Sequence, residues 1–204
     1  MNHKARMLAN LPYLASEDGL LEERIANKKR IFEFNHLSPE RWDEIPALLR
    51  RILGRCGEKI WIEAPFHCDY GSNIEVGENF FANYHLTILD VAKVRIGRNV
   101  QIAPNVSIFT AGHPLHPESR DSGWEYGLDV TIGDSVWIGG CVTILPGVTI
   151  GKNVVIGAGS VVTKDLPDDV LAVGNPCRIV RKITEADREF YCRDRRFDVE
   201  IKKV

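Results

Sequence analysis

An aliphatic residue at every sixth position constrains this chain more than any other feature. Ile132, Ile138, Ile144, Ile150, Ile156 and Val162 recur with a period of six. A small residue follows at Gly133, Gly139, Gly151 and Gly157, and a second small or aliphatic residue falls four positions on, at Val136, Val142, Val148, Val154 and Ser160. Ile96, Ile102 and Ile108 carry the same pattern, with Val100 and Val106 in the second slot; Val76, Ala82 and Ile88 echo it more loosely. This period fits neither a helix at 3.6 nor a simple strand at 2. It fits short strands joined by regular corners, three hexads closing one triangular turn and successive turns stacking as parallel strands. No single turn can bury its own interior, so stability must come from stacking.

The repeat is interrupted once. Between Ile108 and Ile132 the sequence runs FTAGHPLHPESRDSGWEYGLDVT, polar and punctuated by Gly and Pro, and the registers on either side differ by 24, a multiple of six. The coil can therefore resume in phase after an excursion over residues 109–130, and loops thrown out from a rigid scaffold are where function concentrates. Residues 1–58 read differently. Leu20, Leu21, Ile25, Lys28, Ile31 and Phe32 form a stripe near helical period, Ser38 and Pro39 give a helix-start signal, and Ile45, Leu48, Leu49, Ile52 and Leu53 continue the stripe to a stop at Gly54. After residue 183 the T-x-x-D pattern from Thr184 to Asp187 predicts a short C-terminal helix. The expected organisation is one domain: a helical segment over 1–58, a β-helix over 59–182, and a helix and tail over 183–204.

Composition narrows the function classes. Lys and Arg total 26 against 28 Asp and Glu, and this balance leaves no electrostatic footprint for nucleic acid. No segment reaches the ~20 apolar residues of a membrane span, and the N-terminus lacks a signal-peptide core. The five cysteines, Cys56, Cys68, Cys141, Cys177 and Cys192, include no C-x-x-C pair, so reduced thiols and a cytoplasmic location are expected rather than a disulfide framework or a metal site.

The ordered motifs YGSNI, NFFAN, IAPNV, TAGHP, TIGDSVWIGG, ILPGVTIG, VIGAGSVVTKD and VGNPCRIVRKI, with FEFNH near the N-terminus, run along nearly the whole chain. Together they make it resemble the maltose and galactoside O-acetyltransferases. The resemblance implies a mainly β fold, a left-handed parallel β-helix with N-terminal helices and a short C-terminal helix. It further implies a homotrimer, acetyl-CoA as donor, a sugar hydroxyl as acceptor, and active sites in clefts between subunits.

The candidate site residues follow from the motifs and the resemblance. His113 sits in the excursion between Gly112, which permits close backbone approach, and Pro114, which biases it to an extended conformation. A sugar hydroxyl is too weakly acidic to attack a thioester unaided, and an imidazole with an ordinary pKa near ~6.5 is suited to removing its proton. The family's catalytic histidine falls here. Its oxyanion donor, a backbone N–H after the W-I-G strand, falls on Gly140. Trp137 either walls the cleft or simply packs. Ala158 matches the contact beside the pantetheine arm. Thr163, Lys164, Arg178 and Arg181, where the coil ends, are expected to meet the coenzyme phosphates. Asn83 matches a residue touching both substrates. Asp69 and Asp90 are candidates for sugar hydroxyls, or else corner aspartates bonding their own backbone. Val91 and Ala15 stand where the galactoside branch carries acids, while CDY and LDV resemble the maltose branch.

Two other readings remain open at this stage. A zinc-dependent carbonic-anhydrase-like β-helix would need three convergent imidazoles, and the H-x-x-H spacing of His113 and His116 suits it poorly. A non-catalytic β-helix binding protein would need no histidine loop.

Overall fold

The computed structural model describes residues 1–200 of the chain. The predicted coil is present as three parallel sheets that form the faces of a triangular prism. The first face stacks Arg55–Cys56, Ile74–Val76, Val94–Ile96, Val130–Ile132 and Thr149–Ile150. The second stacks Ile60–Ile62, Phe80–Ala82, Gln101–Ile102, Trp137–Ile138, Val155–Ile156 and Val170–Val173. The third stacks Phe66–Cys68, Leu86–Leu89, Ser107–Phe109, Thr143–Ile144 and Val161–Val162.

Register explains the sixfold pattern. Ile132 pairs with Ile150, Ile138 with Ile156 and Ile144 with Val162, so one turn is three hexads. The aliphatic column points inward, and Ile96, Ile102, Ile132, Ile138, Ile144, Ile150 and Ile156 are all buried. Burying this column removes apolar surface from water, and each residue packs on its counterparts one turn above and below. The second slot, Val136, Val142, Val148, Val154 and Ser160, is buried as well. The corners are made by left-handed residues, among them Asn99, Asn105, Ser135, Cys141 and Asn153. Asn tolerates positive φ better than most side chains, which accounts for its recurrence at these positions. The looser echo near Val76 has a geometric cause. There Val76 pairs with Ile96 and Ile88 with Ile108, so these turns are two residues longer, and the extra length lies in the corner that holds Asp90.

The excursion makes the coil skip residues without losing phase. Ile96 pairs with Ile132 across it. Within it, Ala111–Gly112 and Trp124–Gly127 form an antiparallel ribbon around a short helix, Pro117–Asp121, and the N-terminal pair Tyr13–Leu14 adds a third strand.

The N-terminal helices cap the first turns. The long helix Leu20–Asn35 buries Leu20, Asn27, Ile31 and Phe34, while Leu21, Ile25 and Phe32 of the predicted stripe are exposed. The buried line 20, 27, 31, 34 is the helix face that meets the coil, and hydrophobicity alone misplaces it because the polar Asn27 belongs to it. Ser38 makes no side-chain capping bond; Pro39 opens a 3-10 turn, and the α-helix proper is Ile45–Ile52, burying Leu48, Leu49 and Ile52. Gly54 ends it where a Cβ would stand 2.2 Å from the Ser72 carbonyl oxygen.

At the other end, Arg178–Lys182 runs antiparallel to Val170–Val173. The Thr184–Asp187 capping box is formed, but the helix it starts is a single 3-10 turn, Glu185–Glu189, followed by a hairpin of Phe190–Cys192 and Arg195–Arg196. No helix among the described residues is long and apolar enough to cross a membrane.

Candidate active site

His113 emerges directly from the ribbon strand Ala111–Gly112. Gly112 is required there, because a Cβ would lie 2.6 Å from the ring of Tyr126 on the paired strand. The His113 side chain is 56% exposed, and its Nε2 lies 3.8 Å from Oε2 of Glu125, whose own side chain is only 16% exposed. Glu125 sits on the central ribbon strand, opposite Tyr13.

Below this ribbon lies a buried polar cluster. Tyr13 Oη, Arg24 Nε, Asn27 Oδ1, Tyr70 Oη and Asp90 Oδ2 are all buried, and each lacks a hydrogen-bond partner among the described residues. Five such atoms together are unusual, since buried polar groups are nearly always paired. Arg24 is anchored by one bond of its Nη2 to the Ala15 carbonyl, and Asn27 Nδ2 donates to the Asp69 carbonyl. Burial raises the pKa of the Asp69 carboxyl, while Arg24 and Lys28 pull it back down. Burial, then the Glu125 carboxylate, pushes the Tyr13 phenol far above its ordinary value; burial does the same to Tyr70. Donors and acceptors left unpaired in this way suit a ligand rich in hydroxyls.

Asp90 shows the corner bonding that was one of its two expected roles. It is fully buried, and its Oδ1 accepts the backbone N–H groups of Asp69 and Tyr70, both at 2.9 Å. Burial pushes its carboxyl up to about 7. It is a corner aspartate tying one turn to the next, and of the pair only Asp69 is partly open.

Gly140 lies at another corner, between Trp137–Ile138 and Thr143–Ile144. Its carbonyl accepts from Gly159 and its neighbours Gly139 and Cys141 donate to the coil, yet the Gly140 N–H has no acceptor among the described residues. The reason lies one turn away. At equivalent corners an aspartate in the next turn caps this amide: Arg98 N–H donates to Asp134 and Lys152 N–H to Asp168, each at 2.9 Å. Ile138 pairs with Ile156, so the residue above Gly140 is Ala158, which has no oxygen to offer. Asn83 stands at the same corner, two turns earlier, with its Oδ1 accepting from Tyr84 N–H. Trp137 is 55% exposed and faces outward from the adjoining strand.

The cations expected to form one patch divide in two. Lys164 and Arg178 share a cleft of about 400 Å³ with Leu166, Cys177 and Ile179. Thr163, next to Lys164, is exposed. Arg181 instead makes a two-pronged ion pair with Asp187, at 2.7 and 2.9 Å, and opens onto a cleft with Trp137, Leu171 and Tyr191. Arg178 and Arg181 pair with Val173 and Leu171, so both leave the outer side of this strand and differ in what they meet there.

The Gly140 corner begins the third face and His113 departs from the end of it. One short strand of the third face lies between the two, and that face stacks Ser107–Phe109 directly on Thr143–Ile144.

Residues 129–164 match the family model described as bacterial transferase hexapeptide (six repeats). Residues 6–57 match the maltose acetyltransferase hexapeptide capping motif. A galactoside O-acetyltransferase of Escherichia coli K12 is 49% identical over 87% of this chain and 87% of its own length. The chain belongs to the maltose and galactoside O-acetyltransferase family. Solved family structures superpose closely. The crystal structure of a maltose O-acetyltransferase from Clostridium difficile 630 gives a TM-score of 0.89 at 52% identity, covering 91% of this chain and 99% of that one. A galactoside acetyltransferase in complex with coenzyme A gives 0.94 at 45% identity, covering 98% and 100%.

Family membership gives the N-terminal helices a place in the site. The capping motif contains Tyr13, Arg24 and Asn27, three of the cluster residues with unpaired atoms. Sequence reasoning passed over these three and Glu125. The alternation in WEYG held a signal for Glu125; Arg24 and Asn27 were hidden inside an ordinary charged helix.

Proposed function

We propose that His113 is the general base with which this acetyl-CoA-dependent O-acetyltransferase moves an acetyl group to a sugar hydroxyl. The observation that carries the reading is an exposed His113 on the ribbon strand pair, beside Glu125 and close to a cluster of five unpaired buried polar atoms. The imidazole takes the hydroxyl proton as the oxygen attacks the thioester carbonyl. The uncapped Gly140 N–H donates to the carbonyl oxygen as charge builds there, where a fixed donor is worth most. When the adduct collapses, the coenzyme thiolate leaves and recovers the proton from His113. The products are the acetyl ester and the free thiol.

Membership of the family, with His113 and the Gly140 corner at opposite ends of the third face, favours a homotrimer in which the Gly140 corner of one chain faces the His113 ribbon of the next. Ala158, beside Gly140, leaves room for the narrow pantetheine arm. Trp137 walls the cleft, and Asn83 lies on the same corner column. Lys164 and Arg178, with Thr163 adjoining, are suited to the coenzyme phosphates; Arg181 is already neutralised by Asp187 and serves mainly to hold the tail. On the acceptor side, Asp69 and Arg24 offer charged hydrogen bonds, while Val91 and Ala15 offer none. Glucosyl or maltosyl acceptors are therefore expected to do at least as well as galactosides. Within this chain, no three His, Cys, Asp or Glu side chains among the described residues converge as a metal site would require.

The test is His113→Ala. It should lower kcat by about 10²–10⁴, the usual worth of a positioned base, while acetyl-CoA binding and melting stay near the parent. A folded variant that binds acetyl-CoA and turns over within about threefold of the parent would remove His113 from the mechanism.

A further inference from the structure

We propose that Trp42 and Trp61 form a second sugar subsite, which stacks on the ring of an oligosaccharide acceptor that lies farthest from the reacting hydroxyl. The inference rests on the reading that a sugar is acetylated at the Gly140 corner.

Two faces of the coil present polar side chains outward. The outward column is Arg55, Glu75, Arg95, Thr131 and Thr149 on the first face. On the third it is His67, Thr87, Ser107, Thr143 and Val161, all but the last polar. The second face departs from this pattern. Its column runs Trp61, Phe81, Gln101, Trp137, Val155 and Leu171, with only Gln101 polar. Phe81 and Trp137 are exposed, and Trp61 is half-buried. These aromatics leave apolar surface in water at positions where the other faces use a threonine or a charge, so stacking of the coil does not itself require them.

Trp42 turns the N-terminal end of this column into a cleft. It lies on the 3-10 turn Pro39–Glu44 and is 62% exposed. Its ring centroid is 6.3 Å from that of Trp61, with the two planes inclined at 49°. Rings inclined in this way leave a wedge between them instead of covering each other. Both indoles are restrained. Arg41 closes the turn on the Glu44 carboxylate with bonds of 2.7 and 2.6 Å, and Trp61 Nε1 donates to Glu63 Oε1 at 2.9 Å. A surface fixed beforehand loses little entropy when a ligand settles on it.

The cleft is continuous with the candidate active site. Trp61, Phe81, Gln101 and Trp137 lie on successive strands, and the corner after Trp137 holds Gly140. Three strand spacings amount to about 14 Å, too far for one hexose ring to touch both ends. A ligand that reaches from the Gly140 corner to Trp61 therefore carries several rings. A pyranose presents an apolar face of C–H groups and a rim of hydroxyls. The face matches an indole, and the rim matches the Glu63 carboxylate at the indole edge. A second copy of the chain seated here would have to bury that carboxylate, at a cost a sugar hydroxyl avoids by donating to it.

The experiment measures thiol release at saturating acetyl-CoA with methyl glucoside, maltose, maltotriose and maltotetraose, in the parent, Trp42→Ala and Trp42→Phe. Nitrogen-edited proton NMR follows the indole N–H signals as maltotetraose is added, the Trp42 signal being the one missing from both variants. In the parent, kcat/KM should rise about tenfold from methyl glucoside to maltotriose, the scale of one aromatic stacking contact, and the Trp42 signal should shift. Trp42→Ala should lose that rise and Trp42→Phe should keep most of it. Both should leave methyl glucoside turnover and the KM for acetyl-CoA unchanged, because neither ring reaches the Gly140 corner. A parent series that is flat with chain length overturns the proposal. Equal loss on every acceptor in Trp42→Ala overturns it too, since Trp42 then serves the reacting ring or the fold. So does a fall in the molar mass of Trp42→Ala by light scattering, which would mean that a second copy covers this face. If the parent acetylates methyl glucoside but neither rate nor the Trp42 signal responds to the longer sugars, only the subsite fails. If the parent acetylates no sugar, the acceptor reading fails and takes the subsite with it.

Discussion

The bare amide of Gly140 makes Ala158→Asp an informative perturbation. At two equivalent corners the residue in this slot is an aspartate, and its Oδ1 takes the amide one turn below at 2.9 Å. The backbone of the coil repeats, so an aspartate at 158 should reach the Gly140 N–H with the same geometry. Two consequences follow with opposite signs. A charge-assisted cap on an unpaired backbone donor should stabilise the fold by about 1 kcal/mol, the ordinary worth of such a bond. The same bond occupies the donor assigned to the developing oxyanion, and loss of one such donor lowers kcat by about 10²–10³. The assay pairs thermal melting at fixed protein concentration with kcat at saturating acetyl-CoA, because the added charge beside the pantetheine arm will also raise KM. Ala158→Ser serves as a control for bulk. A variant that melts higher, as a formed cap requires, yet keeps its parental kcat at saturation would refute the oxyanion role of Gly140.

Two further outcomes can be checked. Asp90, pushed up to about 7 by burial, binds its proton more readily folded than unfolded. The stability this contributes is full below the unfolded value near ~4 and is lost as pH rises through about 7, so Asp90→Asn should gain on the parent by on the order of 4 kcal/mol across that window; parallel stability curves from urea unfolding would contradict this. Replacing both Lys164 and Arg178 with Gln should raise KM for acetyl-CoA and weaken its salt dependence, leaving acceptor KM unchanged, whereas Arg181→Gln should loosen the Asp187 turn with little effect on that KM; the reverse pattern in steady-state kinetics would reassign the phosphate site.

The coil was legible in the sequence because its periodicity is local. Each inward Ile needs only the residue six positions away to declare the pattern, and each corner needs only its own Asn or Gly. The excursion was legible for the same reason, as a break in that pattern, and it drew attention to His113. The long helix shows where local reasoning stops: its buried line includes Asn27 and omits Ile25, because the coil beneath it offers the Asp69 carbonyl to an amide. Tertiary structure alone decided which polar groups share a cluster. Tyr13, Arg24, Tyr70 and Asp90 lie on separate stretches of chain: stacking of the coil sets Tyr70 against Asp90, and docking of the N-terminal strand and long helix brings Tyr13 and Arg24 to them. Tertiary structure also gave Arg178 and Arg181 different surroundings, since an ion pair with Asp187 holds Arg181 while Arg178 lines a cleft with Lys164. Finally, it left the Gly140 amide uncapped. That property belongs to no single residue, because it arises from stacking Ala158 over a corner where other turns place an aspartate.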